Sequence, residues 1–148
     1  MSATTRSGFA PKMLSIMRII VGFMFCQHGF QKMLGLFGGM GGTGRTAHFP
    51  TEPWFAGVLE MVGGILILIG LFTPIVAFLL SGEMAVAFFT VHLPRGFWTV
   101  KNAGEPAVLY CFFFLYLMFV GAGPWSLDAL MKKKSVAPRH TAPVGAAD

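Results

Sequence analysis

Charged side chains inside long apolar runs are the feature that most constrains this chain. Arg18, Glu60 and Glu83 each lie within a run long enough to cross a lipid bilayer, and Lys32 lies near the end of the first run. A charge in hydrocarbon costs about 2.5–3.5 kcal/mol even on the mild insertion scale, so such residues face the protein interior and are candidates for function. Two cations stand against two anions, which predicts that the helices pair their charges internally.

The composition places the chain in a lipid bilayer rather than in water. Of its 148 residues, 55% are hydrophobic and 11% are charged, whereas a soluble domain carries about 25% charged residues. The formal net charge of +5 comes from basic residues near the two ends. These residues form no patch with interleaved aromatic side chains, so we predict no nucleic-acid partner.

Four apolar runs predict the fold class: an all-α, polytopic membrane protein with an antiparallel bundle of four transmembrane helices. A helix needs about 20 residues to cross the hydrocarbon core. The second and third runs are joined by little more than Thr73-Pro74, which predicts a tight hairpin. The four predicted spans are residues 14–34, 54–72, 74–93 and 107–121.

The distribution of Lys and Arg predicts the orientation of the bundle. Basic residues are concentrated in the two flanks, at Arg6, Lys12, Lys132, Lys133, Lys134 and Arg139. Because cytoplasmic segments carry this excess, both termini are expected in the cytoplasm of a bacterium, with the chain in its inner membrane. We therefore expect a cytoplasmic flank over residues 1–13, a transmembrane domain over residues 14–130 and a basic, disordered tail over residues 131–148.

Polar groups from different spans are predicted to meet in the outer half of the bundle. His28 and Glu60 each lie six residues from the same end of their spans, which places both at a depth of about 9 Å. Lys32 lies one helical turn above His28, on the same face. We predict that His28, Lys32 and Glu60 form a catalytic group that moves protons and holds an anionic oxygen. The predicted binding residues are Arg18, Glu83, His92, Asn102 and Glu105.

Each binding candidate also has a structural alternative. Arg18 and Glu83 are expected to form a buried ion pair that fixes the register of the helices. His92 lies opposite Glu83 on a regular helix and suits an interfacial position, although Pro94 is placed to end the helix early. Asn102 and Glu105 suit the N-terminal end of the fourth span as capping residues.

The glycine-rich segment at residues 39–46 is a near match to a phosphate-binding loop. It has Arg45 where that motif has lysine, and its flanks do not supply the strand and the helix that the motif requires. We therefore predict no nucleotide site and expect a mobile flap over the polar cluster. Cys26 and Cys111 lie in separate runs, so no metal, haem, iron–sulfur or flavin site is predicted.

Several short motifs resemble the DoxX family of small bacterial four-helix membrane proteins. The resemblance covers about residues 12–130 and depends on the order and spacing of the motifs. They are Arg18-x3-Gly22, His28-Gly29-x2-Lys32, Glu60-x2-Gly63-Gly64-x5-Gly70, Ala85-x-Ala87, Asn102-x-Gly104-Glu105 and Gly121-x-Gly123-x2-Ser126-x-Asp128.

The resemblance implies association with a terminal quinol oxidase or a thiosulfate:quinone oxidoreductase. The expected function is an integral membrane subunit of a redox system that binds a quinone or a small oxidisable compound, and whether the chain is itself an enzyme stays open. Expected partners are a redox enzyme and a second copy of the chain. One alternative is a small-molecule or proton-coupled carrier, with Arg18 and Glu83 completing its path. Another is a membrane scaffold that binds redox enzymes through Lys132–Lys134.

Overall fold

The described part of the chain is helical. The computed structural model describes residues 3–136, with side chains from residue 8 to residue 135. In this part there is no strand beyond an isolated bridge between Met40 and Arg45, so the all-α prediction is confirmed. The α-helices are α1 (Ala3–Leu34), α2 (Glu52–Ile69), α3 (Thr73–Ala87), α4 (Thr99–Asn102), α5 (Glu105–Val120) and α6 (Leu127–Val136).

Within residues 3–136, three helical stretches are long and apolar enough to cross a membrane. They are Gly8–Leu34 of α1, Glu52–Ile69 and Thr73–Arg95, the last being α3 with its irregular extension. Helix α5 is apolar but has 16 residues, a length of about 24 Å against a hydrocarbon core of about 30 Å. The membrane character of the chain is thus confirmed, while a fourth span through α5 stays a prediction.

Helices α1 and α2 run antiparallel and touch backbone to backbone. A Cβ atom added at Gly22 would lie 2.6 Å from the backbone nitrogen of Leu68, and one added at Gly29 would lie 2.2 Å from that of Met61. Since small residues permit such close approach in a membrane, the glycine spacing fixes how the two helices align. The same seam contains Gly57 and Gly64 of α2.

One apolar core joins the four long helices. Helix α3 packs against α5, and α2 packs against both α1 and α3. Phe25 of α1 lies edge-on to Phe114 of α5, with ring centroids 4.8 Å apart. The buried side chains of Ile67, Leu80 and Leu117 complete the centre of this core.

The two ends of the bundle differ in what they bring together. At one end, which we call the Leu34 end, α1 ends and α2 and α5 begin. At the other, which we call the Gly70 end, the backbone N–H of Trp125 donates to Ser15 Oγ at 3.2 Å. The early part of α1 and the turn before α6 therefore lie at the same end of the bundle, and the location of both termini in the cytoplasm stays a prediction.

Asp128 ties α6 to the turn between α2 and α3. Its carboxylate accepts the backbone N–H groups of Phe72 and Thr73, at 2.8 and 2.9 Å. Its own N–H donates to the carbonyl of Gly70 at 2.9 Å. Anchored in this way, α6 continues to Val136, so residues 131–136 of the expected disordered tail are helical. Residues 137–148, which include Arg139, lie outside the described part of the chain.

The close contact of α1 and α2 predicts that Gly29→Ala destabilises the protein. Its new methyl group would collide with the Met61 backbone, and overpacking of this kind costs about 1–3 kcal/mol. Gly82→Ala in α3 is the matched control, because a Cβ there meets nothing within 4 Å. The free energy of unfolding in mixed detergent micelles measures both changes. If Gly29→Ala and Gly82→Ala changed the free energy of unfolding equally, the close backbone contact between α1 and α2 would be contradicted.

Candidate functional site

Lys32 and Glu60 form an ion pair between α1 and α2. The Lys32 Nζ atom lies 2.6 Å from Glu60 Oε1, and it is the one salt bridge among side chains 8–135. Glu60 is buried, and the Lys32 side chain is 27% exposed. The pair is positioned by the glycine seam, since a Cβ added at Gly57 would lie 3.0 Å from the Cβ of Lys32.

Glu83 of α3 lies beside this pair and has no partner in the described part of the chain. Both of its carboxylate oxygens are buried without a hydrogen bond, and so is the second oxygen of Glu60. A buried acceptor left unpaired costs about 1–3 kcal/mol, and more when the group is charged. Three oxygen atoms in one place therefore lack the donors that burial normally demands.

A cavity of about 280 Å³ opens between α2 and α3 beside these residues. Lys32, Glu60 and Glu83 all line it, and Glu52 lies at the same site. The remaining walls are apolar and come from Phe55, Ala56, Leu59, Leu79, Met84, Val86 and Ala87. The arrangement suits a flat apolar molecule that donates hydrogen bonds to the carboxylates and accepts one from Lys32.

His28 is separate from this cavity, so the predicted cluster of His28, Lys32 and Glu60 is only partly assembled. Its ring faces Tyr110 of α5, with centroids 6.2 Å apart, in a second cavity with Gln27 and Gln31. Residues four apart on a helix differ by about 40° around the axis. That rotation is enough to direct Lys32 toward α2 and His28 toward α5.

The predicted ion pair between Arg18 and Glu83 is wrong. Arg18 is fully buried and donates instead to backbone carbonyls at the Gly70 end. Its partners are Ala122 at 2.8 Å, Leu68 and Trp125 at 2.5 Å each, and Ile67. The last carbonyls of a helix lack partners within the helix and carry partial negative charge. They attract the guanidinium group in place of a carboxylate on another helix.

His92 and Asn102 hold a loop together at the Leu34 end. A π-helical turn at Phe88–His92 breaks the regular register, and His92 Nδ1 lies 3.0 Å from the carbonyl oxygen of Asn102. The Asn102 amide donates to Gly96 and its oxygen accepts the N–H of Gly104, each at 2.7 Å. Neither side chain lines the cavity at Glu83. These contacts are those of a structural loop.

Glu105 lies at the start of the fourth apolar run, where the sequence placed it, and a further residue of the same helix was not predicted. Glu105 is exposed at the start of α5 and lines a groove between α1 and α5. Tyr110 was not predicted, although it contacts both Phe25 and His28. A hydroxyl group within the apolar run is the signal that could have indicated Tyr110. The glycine-rich segment at residues 39–46 contains the Met40–Arg45 bridge, and the next α-helix begins only at Glu52.

Long apolar helices that enclose charged side chains define a small polytopic helical membrane protein. Comparison with known proteins agrees with this class. A family model described as DoxX matches residues 13–93, which is more than half of the chain. The chain therefore belongs to the DoxX family. An uncharacterized protein of Haemophilus influenzae is 42% identical over 135 residues, which cover 85% of this chain and 96% of the relative. An uncharacterized membrane protein of Mycobacterium tuberculosis is 30% identical over 142 residues, or 86% of each chain. No solved structure shows a significant match.

The separation of Arg18 from Glu83 predicts independent effects on stability. Arg18→Met leaves buried carbonyl groups without donors. It should lower the free energy of unfolding by about 1 kcal/mol for each hydrogen bond that is lost. Glu83→Gln removes an unpartnered buried charge and should be neutral or stabilising. In a double-mutant cycle the two effects should add to within about 0.5 kcal/mol. A larger coupling energy would indicate that Arg18 and Glu83 interact after all.

Proposed function

We propose that this DoxX-family protein is an integral membrane subunit of a redox system that binds a quinol head group beside Lys32, Glu60 and Glu83. The observation that supports this is the set of three buried carboxylate oxygens without donors, at an apolar cavity of about 280 Å³. A hydroquinone ring carries two O–H donors on an otherwise apolar disc. It therefore complements both the walls and the unpaired acceptors of the cavity.

The three side chains suit the proton chemistry of a quinol. Oxidation of a hydroquinone breaks two O–H bonds and releases two protons and two electrons. Glu83 and Glu60 are placed to accept the protons, and Lys32 is placed to stabilise negative charge on a phenolic oxygen. The electrons pass to an electron-accepting enzyme of the same redox system, so the chain acts as the quinol-binding subunit.

The two alternatives receive less support from the geometry. A carrier path that uses Arg18 requires a free guanidinium group, whereas Arg18 is bonded to four carbonyls at the Gly70 end. A scaffold in which buried charges serve only stability does not account for Glu83. Its unpaired buried carboxylate oxygens lower stability.

For the topology we propose four membrane-crossing helices, α1, α2, α3 and α5, in the inner membrane of a bacterium with both termini in the cytoplasm. The shared position of the start of α1 and the turn before α6 supports this. The concentration of Lys132, Lys133 and Lys134 in α6 supports it as well. The quinol cavity then lies toward the outer leaflet.

Cysteine labelling tests the topology. In a variant with Cys26 and Cys111 replaced by alanine, Arg45→Cys should react with an impermeant maleimide added to intact cells. Val136→Cys should react only after the membrane is opened, because α6 carries the cytoplasmic lysines. Labelling of position 136 from outside would reverse the proposed orientation.

Calorimetric titration tests the quinol site. The protein in lipid nanodiscs is titrated with a short-chain benzoquinol and with the matching quinone. The quinol should bind more tightly, since only the quinol donates to carboxylates. Glu83→Gln should weaken quinol binding about tenfold through the loss of charge-assisted hydrogen bonds, without loss of thermal stability.

His28→Ala is the matched control, because His28 lies on the α5 side and outside this cavity. It should bind the quinol as tightly as the unmodified protein. Equal affinities of all three proteins, or a preference for the quinone, would refute the proposed site.

A further inference from the structure

A groove of about 740 Å³ runs between α1 and α5, on the side of the protein where His28 lies. Its walls are apolar or aromatic over most of its length, with Met17, Val21 and Met24 on α1 and Phe113 and Tyr116 on α5. Glu105 lies at its Leu34 end, where α5 begins. This groove is independent of the cavity proposed for the quinol.

A polar cavity of about 240 Å³ continues the groove at the Leu34 end. The two share Met24 and Tyr110 in their walls. The polar cavity is lined by Gln27, His28 and Gln31, whose side chains form no hydrogen bond with any described residue. The walls of the combined space are polar near the Leu34 end of α1 and become apolar toward the middle of that helix.

Phe37 also lines the polar cavity, and its backbone is strained there. It adopts φ 55° and ψ 31° inside the 3-10 turn Leu36–Gly38, a left-handed conformation that is rare for a bulky residue. Phe37 is 66% exposed and lies at the polar end of the groove.

We propose that the groove binds a zwitterionic phospholipid with a primary ammonium head group. One acyl chain lies in the apolar part, and the phosphodiester and glycerol oxygens accept hydrogen bonds from Gln27, His28 and Gln31. Among the side chains that the structure describes, no acidic one lines the polar cavity, which suits the phosphodiester. Glu105 is the acid at the same end, and it suits the ammonium group.

The side chains of the groove favour a flexible chain over another helix. Helices pack in membranes through small residues that allow close approach, and such residues form the seam at Gly29 and Gly64. The groove instead presents Met17, Met24 and Phe113. Unbranched methionine side chains adapt to irregular partners, as an acyl chain requires.

Native mass spectrometry of the purified protein tests whether a phospholipid is retained. After extensive washing in mild detergent, the unmodified chain should carry one phospholipid with an ethanolamine head group. Val21→Trp should lose it, because the indole fills the groove. Val62→Trp is the matched control: Val62 is exposed on α2 and lines neither space, so this variant should keep the phospholipid.

Head-group variants test the polar end. Gln27→Leu with Gln31→Leu should lower retention about fivefold for each hydrogen bond lost. Glu105→Gln should abolish the preference for ethanolamine over glycerol head groups in mixed vesicles. Glu83→Gln should change neither result, which separates this site from the quinol cavity.

Three results would overturn the proposal. The first is retention of the phospholipid by Val21→Trp at the level of Val62→Trp. The second is a washed protein that carries no phospholipid. The third is a dimer that Val21→Trp converts to a monomer without any change in bound lipid, since the groove would then be an interface between two copies.

Discussion

The backbone contact between α1 and α2 sets the geometry on which the rest of the structure depends. Lipid tails are as apolar as the side chains, so neither helix gains free energy by moving its apolar surface from lipid to protein. The association of the two helices therefore depends on close packing. The contact at Gly29 leaves no room for a side chain, and therefore the two helices have one register. That register places Lys32 at Glu60 and, near the opposite end, places Arg18 at the last carbonyls of α2.

Arg18 and Lys32 lie on one helix but satisfy their charges in different ways. The guanidinium of Arg18 has donors arranged in a rigid plane, and it uses them on carbonyls from α2 and from the segment after α5. This closes the Gly70 end. Lys32 makes one short contact with Glu60 and leaves neighbouring carboxylate oxygens unpaired. The Leu34 half of the bundle therefore contains the buried carboxylate oxygens that lack hydrogen-bond donors.

The sequence predicted the helices and grouped Lys32 with Glu60, but it gave Arg18 the wrong partner. Apolar runs and glycine positions carry the helical pattern directly. Lys32 was expected near Glu60 because it lies one helical turn from His28, whose depth matches that of Glu60. The partners of Arg18 could not be read in the same way, because free carbonyls at a helix end have no signal in side-chain identity. The position of His92 depended on a π-helical turn at Phe88–His92, which regular periodicity cannot show.

The chemistry of an occupant for the cavity at Glu83 follows from its charge balance. When ionised, Glu60 and Glu83 carry two negative charges against the one positive charge of Lys32, within walls that are mostly apolar. An acceptor-only ligand, such as an oxidised quinone, would add oxygens where oxygens already lack donors. In the proposed complex, a molecule with two O–H groups supplies donors to two of the three unpaired oxygens, and the same carboxylates then hold the two protons that it loses. The proposed quinol site is therefore expected to bind the reduced form of the ring more tightly than the oxidised form, through hydrogen bonding alone.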